Sequence, residues 1–145
     1  MIQKVNSSRE SIPHKITLPL SMAHSYLKCA EGHTAVMLEG GRPPLSSDLD
    51  YLSDTLEEAI LSILQVILPL ERMGNFKYLI TPVNDTLEFI LNLQDEVRLM
   101  SRESASSPLP SWRTDDLELD ISDSIQMVTR ILALIQRQIG YPPCG

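Results

Sequence analysis

The sequence predicts an all-α protein, a bundle of three to four amphipathic helices preceded by an extended N-terminal arm. Three observations predict it. Apolar residues recur at spacings of three and four over long stretches. Glycines, prolines and capping residues punctuate those stretches where helices should start and stop. Strictly alternating segments, the mark of half-buried strands, are almost absent. A chain of 145 residues, 43% apolar and 21% charged, suits one ordinary domain with a core of its own.

Residues 1–17 are polar and without period, and Pro13 interrupts any local helix, so they read as a flexible or extended arm. The bundle domain is expected over 18–140, with linkers near 40–47 and 104–115 and a tail at 141–145. Its first helix should cover 18–38. Pro19 suits the first turn, Gly40 and Gly41 supply a stop, and Ala23, Tyr26, Leu27, Ala30, Thr34 and Met37 share one face. Gly32 in its interior costs about 1 kcal/mol relative to alanine, so a break near Glu31 and His33 is expected.

The second helix should run over 48–68, with Ser47 as its cap and Asp48, Asp50 and Asp54 complementing the positive end of the dipole. Leu49, Leu52, Leu56, Ala59, Ile60, Ile63 and Ile67 form its stripe. Beyond Ala59 the apolar set widens to Leu61, Leu64, Val66 and Leu68, the pattern of a helix half surrounded by protein, and Pro69 should end or kink it. Residues 74–80 are too short to classify by period. A third helix over 81–102 opens on Thr81 as cap and Pro82 at its first position. Val83, Leu87, Ile90, Leu91, Val97 and Met100 point inward, with Phe89 and Leu93 beside them.

Residues 104–111 read as a linker that cannot bury itself. In the last helix Ile121, Ile125, Val128, Leu132, Ile135 and Ile139 step by 4, 3, 4, 3, 4, a heptad seam that Gly140 closes. Met127, Ile131 and Leu134 make a second stripe beside it. One stripe packs inside the bundle; the other needs a neighbour, either another part of this chain or a second copy in a homodimer. Two further residues, Gln94 and Ser62, are polar but flanked by apolar stripes, so each needs a hydrogen-bond partner if buried.

Composition excludes several classes of function. A net charge of −7 argues against direct nucleic acid binding, which needs a Lys/Arg excess. The longest apolar stretch, 59–70, spans about 18 Å as a helix against a hydrocarbon core of roughly 30 Å, so no membrane association is expected. Only two cysteines, Cys29 and Cys144, and no apolar h-region among the first eight residues point to a reducing, cytoplasmic setting. Charge is uneven: residues 1–45 hold five basic groups against three acidic, and residues 46–145 seven against sixteen.

No convergent chemistry is evident. The three histidines, His14, His24 and His33, lie in no Glu-x-x-His pair, and Cys29 has no Cys-x-x-Cys companion, so no zinc, di-iron or other cofactor is expected. Helical magnesium pyrophosphatases need carboxylates one turn apart. Glu57 and Glu58 begin such a pattern, but Leu61 and Ser62 follow where the next should stand, and Glu88, Asp95 and Glu96 lack acidic partners a turn away. Arg9 and His14 have the spacing of a small helical ribonuclease, but Pro13 lies between them. No Gly-x-Ser-x-Gly elbow or phosphate-cradling glycine loop exists.

Interaction features remain. Trp112 beside Arg113 has the composition of an interface anchor, or of a lid folded on its own bundle. Asp115, Asp116, Glu118, Asp120 and Asp123 put five carboxylates in nine residues, more than a helix dipole explains. The expectation is a non-enzymatic helical interaction protein: a small subunit, adaptor or inhibitor whose contacts involve Trp112, Arg113, Asp115, Asp116, Glu118, Met127, Ile131 and Leu134. The alternatives are a divergent metal-dependent helical enzyme using Glu57, Glu58, Glu88, Asp95 and Glu96, or an acidic decoy that blocks a nucleic-acid-binding protein.

Overall fold

The computed structural model describes residues 2–139, with side chains from position 14 to 138. Four helices make up the chain: α1 (Ile2–Met37), α2 (Ser46–Arg72), α3 (Ile80–Ser106) and α4 (Leu117–Ile139). Three short 3₁₀ segments, Glu39–Gly41, Gly74–Leu79 and Ser111–Thr114, fill the connections, and no strand occurs among the described residues. Each helix packs against the next, and α4 closes the ring against α1, giving a four-helix bundle. None of these helices is long and apolar enough to cross a membrane.

Helical spacing puts one row of each helix in a single core. Leu20, Leu27, Leu49, Leu56, Ile63, Ile90, Ile121 and Ile135 are all fully buried there. The heptad seam of α4 holds: Ile121, Val128 and Ile135 are buried and Ile125 and Leu132 half-buried. The tail and the side chain of Ile139 lie outside the described residues.

The segment expected as an arm, 1–17, carries helical backbone from Ile2 onward. Ile16, inside that segment, is fully buried. Helix α1 runs through its interior prolines. Each interior proline forfeits one helical hydrogen bond at about 3 kcal/mol, while burying Ile16 and Leu20 on either side of Pro19 returns roughly 1.5–3 kcal/mol apiece. Gly32 is accommodated too, and α1 runs unbroken to Met37. Pro69 likewise lies inside α2, which continues to Arg72. Gln65, whose carbonyl loses its donor, is exposed, so that oxygen is next to water.

The caps also differ. Helix α2 begins at Ser46 after Leu45, and α3 at Ile80 after Leu79, neither with a side-chain cap. Ser47 and Thr81 therefore lie inside their helices. Ser46 instead bonds Ser101 across the α2–α3 seam at 2.9 Å. The connector after α3 is not free: Leu109 is buried, and Ser104 donates to the Pro44 carbonyl at 2.9 Å. Finally, the late half of α2 is not enclosed, because Leu61, Leu64 and Leu68 are 46–53% exposed.

The register of α2 against α3 is set by a polar ladder. Gln94, buried, donates to Glu57 Oε2 at 2.6 Å and to the Ser53 carbonyl at 3.2 Å. Arg98 donates to the Ser53 hydroxyl, and Ser101 donates to Asp50 Oδ1 at 2.6 Å. Ser62 donates back to the Glu58 carbonyl. Among the described residues no buried side-chain nitrogen or oxygen is left unpaired.

Candidate interaction surface

The antiparallel order brings the end of α1, the start of α2, the end of α3 and the start of α4 to one end of the bundle. The two connections there are the α1–α2 loop (38–45) and the α3–α4 connector (107–116). Gly40 and Gly41 turn that loop at φ 74° and 71°, a left-handed backbone that only glycine adopts without strain. The five most exposed large apolar side chains described, Val36, Leu45, Tyr51, Trp112 and Leu119, all belong to this end, at 59–70% exposure. Val36 and Leu119 lie on helix faces opposite the core, where packing does not require an apolar group.

Trp112 and Arg113, adjacent in sequence, do different jobs. Trp112 is 69% exposed, so it is not a lid on its own bundle. Arg113 turns inward instead. Its guanidinium forks onto Glu103, Nε at 3.1 Å and Nη2 at 3.2 Å, and reaches Glu96 at 2.9 Å. The bond to Glu103, against a smaller opposing effect of burial, raises its pKa further above the usual arginine range. The connector is thereby pinned to α3, which holds Trp112 out from a fixed base. A second tie is at His33, whose ring packs on Tyr51 at 4.7 Å and whose Nε2 lies 3.1 Å from the Asp48 carbonyl. A carbonyl only accepts, so Nε2 carries the proton and α1 is fastened to α2.

Asp115, Asp116 and Glu118 are all exposed at this same end, with Asp120 and Asp123 half-buried behind them. Partial burial, then the charges of Asp116, Asp123 and Glu96, push the Asp120 carboxyl above the usual aspartate range. Five of the eight sequence-predicted interaction residues are thus brought together. The other three are not. Ile131 is 2% exposed, Leu134 packs partly buried against the core, and Met127 is half-buried further along α4. Within the second stripe of α4, Ile131 and Leu134 are thus packed on this chain's own core, while Met127 stays half-buried. Val36, Leu45, Tyr51 and Leu119 were missed by sequence reasoning. Their signal was present for three of them: Val36, Tyr51 and Leu119 are apolar but off their helices' periodic rows, whereas Leu45 lies in the loop.

The acidic residues of the enzyme alternative do not converge. Glu57 is engaged by Gln94 and Arg98, Glu96 by Arg113, and Glu58, Glu88 and Asp95 are exposed. Among the described residues no three His, Cys, Asp or Glu side chains could jointly hold a metal ion. His14 and Cys29 are exposed, and Cys144 lies outside the described residues. Comparison with protein-family models, curated proteins and solved structures finds no match to this chain.

Proposed function

We propose that this chain is a non-enzymatic interaction protein, a small subunit, adaptor or inhibitor of a larger complex, and that it docks through the connector end of the bundle. The observation that carries the reading is the concentration of the most exposed apolar side chains at that one end. Trp112 has the residue type and exposure of an anchor, and Arg113, Glu103 and Glu96 hold its base in place before binding, so little ordering cost falls on association. The acidic-decoy reading draws support from Asp115, Asp116 and Glu118 on the same surface. It differs in predicting capture that salt abolishes, whereas apolar anchoring persists in salt.

The test is co-purification with the tagged chain from its native source. A stoichiometric partner should be lost with the triple change Val36→Ser, Leu45→Ser, Trp112→Ser. It should be kept with Leu61→Ser, Leu64→Ser, Leu68→Ser on the exposed face of α2. A partner kept by the first variant and lost by the second would move the docking surface elsewhere.

A further inference from the structure

Two grooves flank the α1–α2 loop. One, of 730 Å³, lies between Val36 and Leu45 and reaches Asp48 at the start of α2. The other, of 390 Å³, separates the loop from the α3–α4 connector and reaches Asp115 and Glu118. Arg42 and Pro43 belong to both. The walls are mixed: Met37, Leu38, Pro44 and Leu109 supply apolar surface, Glu39, Asp48, Asp115 and Glu118 the acidic groups, and Arg42 is the one arginine or lysine side chain. A Cβ placed on Gly40 or Gly41 would meet nothing within 4 Å, so the loop leaves open space beside both grooves.

Charge is divided along the bundle axis. The connector end, residues 28–54 and 95–123, holds thirteen acidic groups against five basic. The opposite end, residues 14–27, 55–94 and 124–138, holds five of each. Internal pairing barely reduces the imbalance. Of the thirteen acids only Glu31, Glu96 and Glu103 join an ion pair among the described residues. The bundle is about 40 Å long at helical rise and the Debye length in physiological salt is about 8 Å, so the neutral end cannot compensate the charged one.

We propose that the grooves at this end bind a basic amphipathic segment of a partner protein, its apolar side chains on Val36, Leu45 and Trp112 and its Lys or Arg groups on Glu39, Asp48, Asp115 and Glu118. This rests on the docking reading above and adds the partner's chemistry. The other occupants fit worse. A second copy would set acid against acid, nucleic acid would be repelled, and an uncharged apolar segment would desolvate the rim carboxylates without pairing them.

Trp112 is the chain's only tryptophan and adjoins Ser111 of the second groove, so its fluorescence reports occupancy. The probes are three short tryptophan-free peptides: an amphipathic Leu/Lys helix former, its Leu/Glu counterpart, and a Ser/Lys peptide. The Leu/Lys peptide should shift Trp112 emission saturably and keep binding when NaCl rises from about 50 to about 500 mM, while the Ser/Lys peptide is lost and the Leu/Glu peptide never binds. Charge reversal by Glu39→Lys with Asp115→Lys should weaken the Leu/Lys peptide by at least about tenfold. Reversal at the far end by Glu71→Lys with Glu88→Lys should not; all four sites are exposed, so these variants retain the fold. Equal binding of the Leu/Glu peptide, an equal effect of both reversals, or no saturable signal would overturn the proposal. If co-purification still maps a native partner to this end, the docking reading stands and only the basic chemistry falls.

Discussion

Arg113 and Glu103 form a two-pronged ion pair across the junction of α3 and its connector, at 3.1 and 3.2 Å, with the arginine side chain only 15% exposed. A planar fork of this kind is not reproduced by an ammonium group. Arg113→Lys should therefore lower stability by about 1 kcal/mol and Arg113→Met by about 1–2 kcal/mol. A double-mutant cycle with Glu103→Gln, followed by thermal unfolding, should show coupling. Strict additivity would mean the pair does not hold the connector.

Gln94 is the second test. It is buried and bonded to Glu57 and the Ser53 carbonyl, so Gln94→Leu strands Glu57 half-buried with only Arg98, 3.7 Å away, for company. The substitution should cost about 1–3 kcal/mol in denaturant titration. A gain in stability would show that the ladder is not a satisfied internal network.

Asp120 supplies a pH test. Its folded carboxyl is raised above the unfolded value, so the folded state holds its proton more tightly. Whatever stability this confers is present at low pH and is lost as pH rises through the carboxylate range. Relative to the wild type, Asp120→Asn should thus become progressively more stable between about pH 3 and about pH 7. A relative gain by the wild type over that range would reverse the assignment.

Ile131 separates a core role from a dimer role. At 2% exposure, a glutamate there would be buried without a partner. Ile131→Glu should destabilise the single chain by more than about 3 kcal/mol. If light scattering instead showed a dimer dissociating into a stable monomer, the second stripe of α4 would be an interface between copies.

Much of the fold was legible because burial on a helix repeats every three to four residues. The rows Ala23–Leu27–Ala30 and Ile121–Val128–Ile135 are read directly from spacing, and the stop at Gly40 and Gly41 from backbone sterics. Local punctuation was less reliable. Pro13, Pro19 and Pro69 look like boundaries, yet tertiary burial around Pro19 and Pro69 outweighs a single lost hydrogen bond. Periodicity also says which face is apolar without saying how far neighbours reach, so Leu61, Leu64 and Leu68 were expected to be covered and are not. The charge division was hidden for a different reason. Along the chain the basic excess falls in residues 1–45, but antiparallel packing sets Glu39 and Asp48 at the same end as Asp115 and Glu118, which lie some seventy positions away. Of the candidate site, Trp112 and the acidic run were visible in sequence; their neighbours from the α1–α2 loop required the topology.

The most direct test of the central claim, that the connector end is the docking surface, is site-specific photocrosslinking in the native setting. A benzophenone side chain is placed in turn at positions 45 and 112, and at positions 71 and 85 at the opposite end, all four exposed. The account predicts one discrete crosslinked partner from positions 45 and 112 and none from 71 and 85. Crosslinks from 71 and 85 with silence at 45 and 112 would contradict it.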